Sequence, residues 1–141
     1  METYRFGDIA SPSFGFVLWN PSADIQLEVI ELRICTSSAP TNTLYTVQRI
    51  TARGTATGTK TPTIDNAVGL TAAPPSGAVI DDTWSANPTA DASVLARYLA
   101  VTLGDYKTFR FDPPIVTPGG QGFGVLQSFA SGTYITFVWR E

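Results

Sequence analysis

YITFVWR, residues 134–140, decides the fold. Ile135, Phe137 and Trp139 fall on one side of an extended chain, and Tyr134, Thr136, Val138 and Arg140 fall on the other. A period of two with one wholly apolar side is the pattern of a strand with one face in a core. Ile135, Phe137 and Trp139 are therefore the candidate core or interface residues.

The same alternation recurs upstream. LYTVQRITA (44–52) sets Tyr45 and Val47 against Leu44 and Ile50; YKTFRF (106–111) puts Phe109 and Phe111 together; FGVLQSF (123–129) is a short apolar run. In IQLEVIELRI (25–34) the apolar phase flips between Val29 and Ile30, which predicts a β-bulge or burial on both faces there. DASVLARYLAV (91–101) fits a helix capped by Asp91 or a strand, and the surrounding pattern favours the strand. Turn signals separate these runs: Asn20-Pro21, Ala39-Pro40, Pro74-Pro75, Asn87-Pro88, Pro113-Pro114, Pro118-Gly119-Gly120 and Ser131-Gly132. With 10 prolines and 12 glycines in 141 residues, the expectation is one all-β domain. It would be an antiparallel β-sandwich of about seven to nine strands, jelly-roll by preference, with little or no helix.

Composition narrows the function. Charged residues are 15% of the chain, low for a surface facing only water, which points to cover by another subunit. The formal net charge is −3 and no basic run exists, so neither nucleic acid nor anionic membrane has an electrostatic footing. There is no histidine, which removes His-dependent catalysis and the usual zinc and iron ligands. Cys35 is the one cysteine; after LRI it reads as a small buried apolar residue. The first residues, METYRFGDIASPS, do not read as a signal peptide, and no apolar run approaches the roughly 18 residues of a span. Synthesis in the cytosol as a soluble protein is the expectation.

Candidate chemistry is thin. Asp81-Asp82 is the one adjacent acid pair; on an extended chain the two point apart, so a solvated loop pair is expected rather than a cation site. PGGQGFG (118–124) matches neither phosphate-loop pattern and reads as a turn entering a strand. Trp19, Trp84 and Trp139 with five tyrosines could form a sugar-stacking platform, although aromatics at alternating positions are more often core. No constellation supports an enzyme, a cofactor or a metal site.

RGTATGTKTPT (53–63) has threonine at every second position and nothing large and apolar. Alternate threonines favour extended backbone without contributing to a core. Residues 53–66 are therefore a candidate extended arm or loop, with Arg53, Thr55, Thr57, Thr59, Lys60, Thr61 and Thr63 as the candidate inter-subunit arm residues.

Four stretches taken in order carry a resemblance: TVQRITARGT (46–55), GTKTPTIDNAVGLTA (58–72), NPTADASVLARYLAV (87–101) and PPIVTPGGQGFGVLQSFASGTYITFVWRE (113–141). Together they resemble a loosely defined group of small proteins encoded among bacteriophage structural genes. The resemblance implies a jelly-roll or sandwich domain that coats or decorates virions, without catalytic residues. It implies a homo-oligomer, with a trimer suggested by threefold lattice positions, bound to the major capsid protein or another virion protein. A carbohydrate- or receptor-binding sandwich on a phage fibre or spike is the alternative.

Overall fold

The computed structural model describes residues 3–10, 15–36, 42–62, 73–102, 104–128 and 132–141. These form ten strands and no helix: β1 (Thr3–Ala10), β2 (Gly15–Asn20), β3 (Leu27–Thr36), β4 (Thr43–Ala52), β5 (Thr55–Lys60), β6 (Val79–Ala86), β7 (Thr89–Ala100), β8 (Tyr106–Thr117), β9 (Gln121–Gln127) and β10 (Thr133–Arg140). The alternating runs of the sequence fall on β3, β4 and β7 to β10; β1, β2, β5 and β6 bring the number to ten.

Pairing follows a simple rule. The first strand pairs with the last, β2 with β9, β3 with β8, β4 with β7 and β5 with β6, all antiparallel. The chain is thus one long antiparallel ribbon, rolled so that its first four pairs alternate between two sheets, while β5 and β6 stay in the sheet of β4 and β7. One sheet runs β1-β10-β3-β8 and the other β5-β6-β2-β9-β4-β7. The two pack face to face as a β-sandwich, each hiding an apolar face that neither could hide alone.

The final strand behaves as its sequence requires. Ile135, Phe137 and Trp139 are at most 1% exposed and lie in the main core. Phe16, Leu18, Tyr45, Val47, Phe123 and Val125 come from the six-stranded sheet to meet them. Phe123 sits edge-on to Phe137 across the sandwich, with centroids 6.1 Å apart, and Phe111 sits edge-on to Phe123 at 5.6 Å. The end of the chain is tied down as well. Trp139 Nε1 and the N–H and hydroxyl of Ser76 all donate to the Glu141 carboxylate, which fixes the Pro74-Pro75 turn against β10.

The phase flip in β3 is a β-bulge. Val29 faces Ile115 and Trp139, Glu31 faces Arg110 and Val138, and Ile30 has no register partner on either side. The extra residue lets Leu27 and Val29 before it, and Leu32 and Ile34 after it, all enter the same core. On β8 the stretch 111–114 makes the matching excursion, where Pro113 and Pro114 have no N–H to give a ladder. The bulge also turns Glu31, Arg33 and Cys35 outward. Cys35 is consequently half-buried on the outer face, not the core residue its apolar flank suggested.

β2 is buried on both faces. Phe16 and Leu18 enter the main core; Val17 and Trp19 join Ile50 in a second cluster outside the six-stranded sheet, with Val79, Trp84 and Ala90 packed on it. Gly122 makes this possible. A Cβ there would lie 2.8 Å from Val17 Cγ1, so only glycine lets the flanking side chains close over β9.

Candidate functional site

The Thr-rich stretch is placed in this chain's own sheet. Thr55–Lys60 is β5, an edge strand paired antiparallel to β6, with Thr59 opposite Asp81 and Lys60 opposite Ile80. Thr55, Thr57, Thr59 and Thr61 are exposed, while Ala56, Gly58 and Lys60 are half-buried. Thr63, and the rest of 63–66, lie outside the described residues.

Two ion pairs clasp this strand to its neighbour. Arg53, just ahead of β5, donates from Nε to Asp81 Oδ2 at 2.7 Å and from Nη2 to Oδ1 at 2.9 Å. The Thr59 hydroxyl donates to the same Oδ1 at 2.7 Å. Lys60 Nζ lies 3.0 Å from Asp82 Oδ2, and Thr83 Oγ1 donates to Asp82 Oδ1 at 3.0 Å. The adjacent acids do point apart, but they are not a solvated loop pair. They sit in β6 with exposures of 0% for Asp81 and 8% for Asp82, and each has its own cation from the Thr-rich segment. A two-point fork between Arg53 and a buried carboxylate is a strong arrangement, and its hydrogen bonds push the Arg53 pKa above the ordinary value against the opposing effect of burial. Gly58 leaves room for the other carboxylate, because a Cβ there would fall 2.3 Å from Asp82 Oδ1.

The opposite edge of the same sheet is β7, and its surface differs. Leu99 is 51% exposed and paired in register with Leu44, itself 36% exposed; Val101 follows at 50%. Three apolar side chains side by side at an open sheet edge are what an association surface offers.

Other sequence candidates resolve plainly. Pro118-Gly119-Gly120 is a turn between β8 and β9, closed by Gln121 N donating to Pro118 O and held by Gly120 N donating to Asn20 O. The tryptophans form no exposed platform: Trp139 is in the main core, and Trp19 and Trp84 are in the second cluster. Among the described residues no group of three or more His, Cys, Asp or Glu gathers to hold a metal, and no helix is long and apolar enough to cross a membrane. Sequence reasoning named Arg53 and Lys60 but missed their partners, because the clasp exists only once β5 and β6 are in register.

No known family, characterised protein or solved structure matches the chain.

Proposed function

We propose that this chain is a structural virion protein of a bacteriophage, capsid-associated and working as a homo-oligomer through contacts between subunits. The first-with-last strand pairing supports reading the sandwich as a jelly roll, an architecture that viral shells use, with β5 and β6 as an added strand pair. The observation that carries the reading is the pair of unlike edges on the six-stranded sheet. β5 offers a hydroxyl-rich strand braced by two ion pairs, and β7 offers Leu99 beside Leu44 and Val101. An edge on one copy meeting the other edge on the next makes a head-to-tail contact, which closes into rings such as trimers. The contact would add backbone hydrogen bonds and bury the leucines, so each copy raises the barrier to rupture of the particle.

Light scattering during size exclusion tests this. The purified chain should elute at a small multiple of 15.1 kDa. Leu99→Glu, at an exposed position, should leave the fold intact and shift the mass to that of one chain. A monomeric wild type, or an oligomer indifferent to Leu99→Glu, contradicts the proposal.

A further inference from the structure

The outer face of the four-stranded sheet holds a groove of about 480 Å³ lined by Arg33, Tyr106, Thr108 and Arg110. The β3 bulge creates it. By turning Glu31, Arg33 and Cys35 outward, the bulge sets Glu31 opposite Arg110, Arg33 opposite Thr108 and Cys35 opposite Tyr106. Glu31 is only 9% exposed and organises the two arginines. Arg33 donates from Nε to Oε1 at 2.5 Å, and Arg110 donates from Nε to Oε2 at 3.1 Å. Burial alone would push the Glu31 carboxyl up; the two arginines' hydrogen bonds and charges outweigh it and hold the group below its ordinary value.

Each guanidinium is thus held through Nε, and among the described residues no hydrogen-bond partner takes the Nη atoms of either. The Arg110 side chain is 79% exposed and Arg33 is 40% exposed, so those donors are open to solvent. Two guanidinium groups against one carboxylate leave a single positive charge. Tyr106, 65% exposed, and Thr108 complete the lining, respectively four and two positions before Arg110 on β8, so that ring, hydroxyl-bearing residue and cation follow one another along one face of the strand.

We infer that this groove binds a carboxylate-bearing saccharide, of the uronic acid class. A planar carboxylate matches the donor spacing of a guanidinium, and a monoanion matches the single net charge better than a phosphate dianion does. The C–H face of a pyranose suits an exposed tyrosine ring. The volume is within the roughly 300–1,000 Å³ of small-ligand sites. Nothing in this site draws on β5, β7 or the assembly reading.

Calorimetric and NMR titrations with digalacturonate, a neutral disaccharide of the same linkage, acetate and inorganic phosphate test it. Digalacturonate should bind, with shifts confined to residues around Arg33, Thr108 and Arg110, and should weaken as salt rises. The neutral sugar should bind at least about tenfold more weakly, the scale of one charged hydrogen bond. Arg110→Gln and Tyr106→Ala are both at exposed positions and should keep the fold, with a small fall in melting temperature for Arg110→Gln because Glu31 loses one of its two arginines; each should weaken digalacturonate by about tenfold or more. No binding up to about 10 mM, a range where even contacts of a few kcal/mol register, overturns the inference. So does equal binding of the neutral sugar, equal binding of acetate or phosphate, or indifference to both substitutions.

Discussion

Replacing Arg53 with methionine removes one half of a buried pair while keeping most of the side-chain bulk. Asp81 is fully buried, and with Arg53 gone its carboxylate keeps only the Thr59 hydroxyl among the side-chain partners described above. Removing one partner of a buried pair costs about 3–5 kcal/mol. The Arg53 side chain is 36% exposed, so water already screens part of the pair, and about 2–3 kcal/mol is the expected loss. For a domain of this size that corresponds to roughly 6–10 °C in Tm. Thermal unfolding followed by circular dichroism at neutral pH measures it. The cause is isolated by Arg53→Met/Asp81→Asn, in which no charge is left buried. The double variant should recover most of the loss, with a coupling of about 1–3 kcal/mol. Hydrogen exchange should show the β5 amides losing protection first, since β5 is an edge strand held by its one ladder to β6 and by the clasp. An Arg53→Met variant within about 1 °C of wild type, or a double variant whose loss is the sum of the singles, would refute the reasoning.

Trp139→Ala should cost about 3–5 kcal/mol, because the indole is fully buried between the sheets; an unchanged urea midpoint would contradict that. The Thr102 hydroxyl and the N–H groups of Thr102 and Val101 donate to the Asp105 carboxylate and hold its pKa below the ordinary value. Its contribution is therefore complete above the ordinary pKa of about 3.9 and is lost as pH falls through the folded value. Asp105→Asn should flatten Tm against pH below about 4, and an unchanged acid slope would count against this assignment. Dialysis against a chelator should leave Tm unchanged, since the described residues gather no metal-binding cluster; a large drop would point to an oxygen-ligated cation.

What the sequence disclosed was governed by local periodicity. Ile135, Phe137 and Trp139 announce a buried strand face because the period of two needs no knowledge of neighbours. The bulge at Val29 and Ile30 is legible for the same reason: a phase flip within one strand has a local geometric meaning. Asp81 and Asp82 were misread because adjacent acids are usually solvated, and their burial depends on a register with residues more than twenty positions upstream. Cys35 was misread because the bulge that faces Ile34 inward faces its successor outward. The second cluster around Trp19 was hidden because outward strand positions become apolar sites only when neighbours close over them, as Gly122 permits here. The groove at Arg33 and Arg110 required the β3–β8 register, which spans most of the chain.

Electron microscopy of the particle proposed to carry this chain tests the central claim most directly. The account predicts repeated density for a two-sheet domain on the particle, with the Thr55–Lys60 edge against a neighbouring subunit and Leu99 covered. Particles from which this chain is absent, or density in which both edges of the six-stranded sheet face solvent, would contradict it.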